Sequence, residues 1–371
     1  MSAAIEIRDL AFSYGRRAVL ENISLDIPEK QFTVLLGKNG SGKSTLLRLA
    51  AGLLTPDAGR VSVLGQDIAA MSLAGRARLL EAPPTPLDAP VVRVVQGNVP
   101  QDEKFGADAL ARSHETYLRL LDRPGGFDLA ALPESVYPVP LGRLPQDVVR
   151  DLLEVVSARR AALVFGIFIE EPGSLWFNSA VAIAPDRDGA QRYSKRHLVP
   201  FGEFIPPGFR WFVDLMTIPI GDQQRGARHQ PPFELAGQRI AVNICYEDLF
   251  GAEIVDAWHD PQRAPTILLN LSNLAWFGDT IALPQHLQIS RLRALETGRP
   301  MLRATNTGAT AIIDARGRVT AQLPFATEGV LDGEVQGHTG DTPYVRYGDA
   351  PALAAVAALL LAAAAFGLRA R

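Results

Sequence analysis

The sequence predicts an α/β protein, and three observations support this class. Short apolar runs typical of strands, at 91–95, 161–168 and 264–269, alternate with helix-like stretches at 114–121 and 145–159. This alternation favours a sheet with helices packed on it. The 371 residues are 47% hydrophobic, which is enough for a sizeable core and for more than one domain.

A proline-rich stretch divides the chain. Residues 81–90 contain four prolines, and such a segment is typical of an extended linker without a core of its own. We therefore predict an N-terminal unit over residues 1–80, a linker or junction over 81–90, and an α/β domain over 91–336. A helix over 350–368 is predicted to follow.

The N-terminal unit shows its own order of elements. Strands are predicted at 5–12 and 32–36 and a helix at 45–53. A turn at 56–59 then precedes a strand at 60–64, because proline, aspartate and glycine favour reversals of the chain.

Between the second predicted strand and the helix lies a phosphate-binding pattern, Gly37-Lys38-Asn39-Gly40-Ser41-Gly42-Lys43-Ser44-Thr45. It fits the Walker A motif, whose glycines let backbone N–H groups surround phosphate oxygens. Lys43 would reach the β- and γ-phosphates and Ser44 would ligate Mg²⁺. The residues expected to bind nucleotide are Gly37, Asn39, Gly40, Gly42, Lys43, Ser44 and Thr45.

Residues 1–80 resemble the start of an ABC-transporter ATPase. The resemblance implies ATP and Mg²⁺ as ligands and Tyr14 as the aromatic that stacks on adenine. The sequence after residue 80 contains no glutamine loop, signature motif, Walker B carboxylates or switch histidine of that family. Phosphoryl transfer depends on the metal and water positioning that these parts supply, so we predict no useful ATP hydrolysis and leave nucleotide binding open.

Cys245 is the only cysteine in the chain, so it cannot form an internal disulfide. It follows a strand-like run at 238–244, while Glu134 and Lys195 stand upstream as a candidate base and a candidate ammonium. A thiol, a carboxylate and an ammonium together suit covalent acyl chemistry. Taken singly, each residue has a simpler interpretation. Cys245 would be a small buried apolar residue, Glu134 a turn residue and Lys195 a solvated lysine.

Longer strings surround these three residues, at 95–101, 193–206, 244–247, 271–279 and 291–300. On them, residues 91–335 resemble the nitrilase (carbon–nitrogen hydrolase) superfamily and, within it, the apolipoprotein N-acyltransferase family. The resemblance implies a nitrilase-like αββα sandwich and a Glu-Lys-Cys triad formed by Glu134, Lys195 and Cys245.

The resemblance also implies a reaction. An acyl chain would move from a phospholipid to Cys245 as a thioester, and then to the α-amine of a diacylglyceryl-cysteine at a lipoprotein N-terminus. Glu134 would act as base, and Lys195 with a backbone N–H near Tyr246 would stabilise the oxyanion. Two half-reactions predict ping-pong kinetics, and acyl transfer requires no cofactor.

Further residues are expected to support the site. Glu203 and Glu247 are predicted to crowd the triad as supporting carboxylates. Phe209, Trp211 and Trp276 are predicted to contact lipid, because tryptophan favours the membrane interface. The alternative for these aromatic residues is core packing.

The last stretch, residues 350–368, contains no charged residue. At ~1.5 Å per residue the predicted helix would be ~28 Å long, close to the thickness of a bilayer core. We predict a transmembrane helix, the alternative being a terminal helix packed on protein. The resemblance implies the bacterial inner membrane, and a net charge of −3 gives no reason to expect a nucleic-acid partner.

The two resemblances conflict in topology. The acyltransferase family carries membrane helices before its catalytic domain and acts on the periplasmic face, whereas an ABC ATPase domain is cytosolic. We find no candidate membrane span before residue 350. We therefore interpret the chain as a chimera and do not assign the side of the membrane on which its active site lies. Three alternatives stay open: a soluble nitrilase-type amidase, an ABC-type nucleotide-binding module and an inert chimera.

Overall fold

The computed structural model describes residues 3–14, 17–28, 35, 41–50, 54–63, 65–68, 89–100, 108–205, 223–278, 280–354 and 356–357. The chain divides into two compact units, and the division falls between Pro83 and Pro84 inside the proline-rich stretch. Each unit is described by itself.

The first unit is built on antiparallel strands. Its described elements are β1 Ala3–Tyr14, β2 Arg17–Pro28, α1 Lys43–Ala50, β3 Ala58–Val63 and β4 Gln66–Asp67. These strands form a sheet in the order β2-β1-β3-β4. Ile7, Leu10 and Val61 of the sheet and Leu49 of the helix are buried in one apolar cluster, so α1 covers one face of the sheet.

The predictions for this unit are partly confirmed. The strands predicted at 5–12 and 60–64 and the helix predicted at 45–53 are present with shifted ends. Strand β2 was not predicted, although Ile23, Leu25 and Ile27 alternate with polar residues as a half-buried strand requires. The predicted strand at 32–36 lies outside the described residues except for Leu35, which belongs to no regular element.

The second unit alternates strands and helices. In chain order it contains β5 Val91–Gln96, α2 Ala109–Leu121, β6 Leu129–Ala131, α3 Gln146–Arg159, β7 Ala162–Glu171, β8 Leu175–Ile183, β9 Gln191–Ser194, β10 Phe233–Leu235, β11 Gln238–Ile244, α4 Gly251–Val255, β12 Ile267–Ser272, α5 Ala282–Thr297, β13 Met301–Thr305, β14 Ala311–Ile313, β15 Val319–Gln322, β16 Gly329–Glu334 and α6 Pro343–Tyr347. Short 3₁₀ turns lie at Leu141–Arg143, Cys245–Leu249, Asp256–Trp258, Pro261–Arg263 and Ala275–Phe277.

The described strands of this unit form two six-stranded sheets. The first has the order β16-β5-β6-β7-β8-β9 and the second the order β10-β11-β12-β13-β14-β15. The neighbours β5, β6 and β7 are parallel, as are β11, β12 and β13. Parallel strands end at the same edge of a sheet, so the residues that follow them come close together.

Side-chain alternation decides how the sheets pack. Val92 and Val94 of β5 share one buried cluster with Val242 and Ile244 of β11, which places the two sheets face to face. Val95 points the other way, into a cluster with α2 and α3. On the second sheet, α4 and α5 pack on the outer face in the same manner. The result is the αββα sandwich that the resemblance implied.

The C-terminal part is described as far as residue 357. Among the described residues, no helix is long and apolar enough to cross a membrane. Residues 355 and 358–368 of the predicted transmembrane helix lie outside the described residues. That helix is therefore not confirmed and stays a prediction.

Helix α3 provides a matched test of the packing. Leu152 is 2% exposed against the first sheet, whereas its neighbour Leu153 is 45% exposed. We expect Leu152→Ala to lower the free energy of unfolding by about 2–5 kcal/mol, because it leaves a cavity. Leu153→Ala is expected to cost less than about 1 kcal/mol. Urea denaturation of both variants measures the difference, and equal losses would contradict this packing.

Candidate active site

Cys245 lies immediately after β11, as the first residue of the 3₁₀ turn Cys245–Leu249. Its backbone is in the left-handed region, with φ of 57°. For a residue other than glycine such a conformation costs about 1–3 kcal/mol, and it persists only where the surroundings impose it. Asn270 of the neighbouring strand donates from Nδ2 to the carbonyl oxygen of Cys245 at 2.8 Å, which helps to hold the turn.

Glu134 lies in the loop that follows β6, and two donors fix its carboxylate. Oε1 accepts a hydrogen bond from Asn178 Nδ2 at 2.7 Å, and Oε2 accepts one from the backbone N–H of Asn273 at 2.8 Å. Asn178 belongs to the first sheet and Asn273 follows β12 of the second. The carboxylate therefore bridges the two sheets, and its orientation depends on both.

Lys195 follows β9 and its side chain is fully buried. Its Nζ lies 2.8 Å from Glu203 Oε1 and 3.6 Å from Glu134 Oε1. Burial alone would lower the pKa of Lys195, but Glu134, Cys245 and Glu203 outweigh it and raise the pKa above its ordinary value. Lys195 is therefore a permanent buried cation between two carboxylates.

Hydrogen bonds hold the Glu203 carboxylate beside the Lys195 ammonium. Its Oε1 also accepts from Asn178 Nδ2 at 3.2 Å, and its Oε2 accepts from the backbone N–H of Val199 at 2.9 Å. The amide of Asn178 thus joins the two carboxylates that flank Lys195. Both carboxylates also face the ammonium of Lys195.

The thiol of Cys245 is in a site that disfavours its ionised form. Burial raises the pKa of Cys245, and the negative charges of Glu134, Glu203 and Asp248 raise it further. Lys195 acts in the opposite, expected direction but does not overcome them. The resting group is therefore a protonated thiol, which needs a base during attack.

Glu247, predicted as a supporting carboxylate, is buried and holds the backbone. It accepts hydrogen bonds from the backbone N–H groups of Ile244 at 2.7 Å, Arg196 at 2.8 Å and His197 at 3.0 Å, and from the Tyr193 hydroxyl at 2.9 Å. Burial raises the pKa of Glu247, although the backbone donors oppose that effect. Glu247 thus joins the start of the turn Cys245–Leu249, named the nucleophile turn after the predicted role of Cys245, to the segment that carries Lys195.

Tyr246 places its ring beside the cation. Lys195 Nζ lies 5.5 Å from the ring centroid, and the hydroxyl donates to the carbonyl oxygen of Leu198 at 2.6 Å. Burial raises the pKa of Tyr246 to about 12, so the phenol stays neutral. The His197 ring, one residue before Leu198, stacks on Phe250 at 3.7 Å and contacts Glu253 at 2.8 Å.

Sequence reasoning missed several residues of this site, namely Gly166, Asn178, Tyr193, Asn273 and Asn306. Asn306 accepts from the backbone N–H of Val99 at 2.9 Å and donates to Asn273 Oδ1 at 3.1 Å, so it supports the segment that binds Glu134. For Asn273 and Asn306 the available signal was an asparagine just beyond the end of an apolar strand, since the ends of parallel strands meet at one sheet edge.

The remaining predicted residues are only partly described. Gly42 has φ of 86° and precedes α1, Lys43 Nζ donates to Ser41 Oγ at 3.3 Å, and Thr45 is buried. Gly37, Asn39, Gly40, Phe209 and Trp211 lie outside the described residues, as do the side chains of Tyr14, Ser44 and Trp276. Binding of Mg-ATP and lipid by these residues stays a prediction.

Comparison with protein families identifies both parts of the chain. The carbon–nitrogen hydrolase family model matches residues 91–344, and the ABC transporter model matches residues 20–107. The two resemblances predicted from the sequence are therefore confirmed at the level of family.

Curated relatives extend the comparison. The chain is 50% identical over 282 residues to an apolipoprotein N-acyltransferase of Ralstonia nicotianae, covering 76% of this chain and 54% of the relative. A protein of the same name from Methylococcus capsulatus is 37% identical over 321 residues, covering 85% and 61%. The chain thus spans about half the length of the curated relatives that it matches.

Solved structures share the fold. The C. elegans NitFhit protein aligns with a TM-score of 0.52 at 18% identity, covering 73% of this chain and 65% of that one. A carbon–nitrogen hydrolase from Helicobacter pylori G27 aligns with a TM-score of 0.50 at 16% identity, covering 70% and 91%. At these identities the likeness concerns the fold alone.

Gly166 tests how closely the Glu134 loop approaches β7. A Cβ atom at Gly166 would lie 2.5 Å from Glu134 Cα and 2.7 Å from the carbonyl oxygen of Pro133, both backbone atoms that cannot rotate away. We expect Gly166→Ala to displace Glu134 and to cost about 1–3 kcal/mol of stability. Gly142→Ala is the control, because open space surrounds that position. Thermal unfolding compares the two, and an unperturbed Gly166→Ala protein would contradict the close approach.

Proposed function

The chain belongs to the carbon–nitrogen hydrolase family, and on this premise we propose that its second unit transfers an acyl chain through a thioester on Cys245. One observation carries the proposal: the Lys195 ammonium lies between Glu134 and Glu203 and interacts electrostatically with Cys245. A buried cation beside a protonated thiol and a carboxylate suits acyl transfer, in which negative charge develops on an oxygen.

In the first half-reaction, Cys245 Sγ attacks the ester carbonyl of a phospholipid while Glu134 takes the thiol proton. Lys195, with a backbone N–H near Tyr246, stabilises the tetrahedral oxyanion. The intermediate collapses by breaking the C–O bond, and Glu134 returns the proton to the departing alkoxide. The products are a thioester and a lysophospholipid.

In the second half-reaction, an α-amine attacks the thioester and Glu134 takes a proton from the nitrogen. The C–S bond breaks, the amide forms and the proton passes to the sulfur, which restores the thiol. The names of the relatives support an amine of an apolipoprotein as the acceptor, and the family resemblance implies that this amine belongs to an N-terminal diacylglyceryl-cysteine. No cofactor is required by this scheme.

A lipid donor requires contact with a membrane, and apolar residues near the site support that requirement. Phe201 is 41% exposed, Phe277 51% and Ile281 72%. Phe201 lies in the segment between Lys195 and Glu203, and the other two follow Asn273. We propose that these residues, together with Phe209, Trp211 and Trp276, contact acyl chains at the bacterial inner membrane, where residues 350–368 form a transmembrane helix.

Acyl transfer to an amine tests the proposal. With phospholipid vesicles and a diacylglyceryl-cysteine peptide, the wild-type chain is expected to N-acylate the peptide, as detected by mass spectrometry. Cys245→Ala and Glu134→Gln are expected to lower the rate by at least about 10²-fold, because they remove the nucleophile and the base.

An N-acetylated peptide is the matched acceptor control and should give no product. Release of free fatty acid without N-acylation would instead support a hydrolytic, amidase-like enzyme. Product formation by Cys245→Ala would exclude the covalent route.

For the first unit we propose no catalytic role. Its Walker A segment has no Walker B partner within the 371 residues, so nothing in the sequence supplies the second metal ligand and the carboxylate that polarises water. Phosphate release from Mg-ATP is expected to be the same for wild type and Lys43→Ala. Turnover that Lys43→Ala abolishes would contradict this.

A further inference from the structure

A row of polar residues crosses the helix-covered face of the second sheet, beside the nucleophile turn. Asn243 of β11, Asn270 of β12 and Arg303 of β13 are register partners, and all three are buried. Asn270 Nδ2 donates to Asn243 Oδ1 at 2.6 Å and to the Cys245 carbonyl oxygen at 2.8 Å. The preceding row on the same face is apolar and consists of Ala241, Leu268 and Met301, so the polar row begins where the strands approach the Cys245 turn.

Arg303 ends the row and pairs with the nucleophile turn. Its Nη1 lies 3.0 Å from Oδ2 of Asp248, which stands three residues after Cys245, and neither side chain is exposed. Ser290 of α5 donates to the same carboxylate oxygen at 2.6 Å, and His286 Nδ1 lies 3.0 Å from Arg303 Nη1. The ion pair thus ties the turn to both β13 and α5.

Asp248 and Arg303 have opposite electrostatic effects on the sulfur of Cys245. The negative charge of Asp248 raises the pKa of Cys245. Arg303 interacts with Cys245 in the favourable sense, because the thiolate raises the pKa of Arg303 against the lowering effect of burial. The charged groups acting on the sulfur are thus Glu134, Glu203, Lys195, Asp248 and Arg303.

We propose that Arg303 and Asp248 are a positioning pair for the nucleophile: Asp248 anchors the turn to Arg303, and the guanidinium supplies a second positive charge, besides Lys195, that favours the developing thiolate. The inference rests on the proposed role of Cys245. It predicts that the two members of one ion pair affect the sulfur in opposite directions, whereas a purely structural pair would affect it in the same direction when either member is removed.

Alkylation of the thiol separates these cases. Cys245 is the only cysteine in the chain, so the rate of reaction with iodoacetamide, followed by intact-mass spectrometry between pH 7 and 10, reports on this sulfur alone. Thiolate is the reactive form. At a fixed pH below the pKa of the thiol, a change of one unit in that pKa changes the thiolate fraction about tenfold.

We expect Arg303→Met to slow alkylation by about tenfold, because it removes a positive charge and leaves Asp248 unpaired. Asp248→Asn is expected to accelerate alkylation by a similar factor, because it removes a negative charge. The double variant should react at a rate between the two, since both charges are gone together. His286→Gln controls for the neighbouring imidazole and is expected to stay near the wild-type rate.

Equal rates in all variants, or changes of the same sign in both single variants, would overturn the proposal. If Arg303→Met does not fold because its partner is left as a lone buried ion, Asp248→Asn is compared with the double variant instead. Arg303 is then the only difference, the double variant should react about tenfold more slowly, and equal rates would again overturn the proposal. Iodoacetamide requires no phospholipid, so failure of acyl transfer would not alter this comparison.

Discussion

The site depends on one buried cation. Lys195 is removed from water and flanked by Glu134 at 3.6 Å and Glu203 at 2.8 Å, and an isolated ammonium in this position would be strongly destabilising. The cation therefore requires both carboxylates, and Asn178 holds them in place from β8. The backbone donor at Asn273 and the close approach at Gly166 fix Glu134 on the remaining sides. These uncharged supports fix the geometry of the charges, and removing Lys195 would leave two carboxylates without their shared cation.

The nucleophile is held by a separate set of contacts. The left-handed backbone of Cys245 is bounded by Glu247, which accepts from the backbone N–H of Ile244 just before the turn, and by Asn270 of β12. Asp248 of the same turn pairs with Arg303 of β13. Burial and nearby carboxylates raise the pKa of Cys245 and so favour the protonated sulfur. The proposed mechanism therefore relies on proton transfer to Glu134 during attack rather than on a preformed thiolate. In the same proposal, Lys195 and Arg303 stabilise the negative charge that appears.

The sequence was sufficient for the fold class and for Glu134, Lys195 and Cys245 as candidates, because long strings in order along residues 91–335 resemble one superfamily and a strand-like run precedes Cys245. It was insufficient for Asn178, Asn273 and Asn306, whose partners are far away in sequence: Asn178 binds Glu134 across 44 positions and Asn273 binds it across 139. The left-handed backbone of Cys245 had no signal, since glycine is the residue that marks such positions.

The most direct test of covalent acyl transfer is a single-turnover experiment without an amine acceptor. Wild-type chain mixed with labelled phospholipid vesicles should release a stoichiometric burst of lysophospholipid and retain the acyl label on Cys245, from which hydroxylamine removes it as a hydroxamate. The burst and the label should both be absent in Cys245→Ala. Steady release of free fatty acid with no burst and no label on Cys245 would contradict the account.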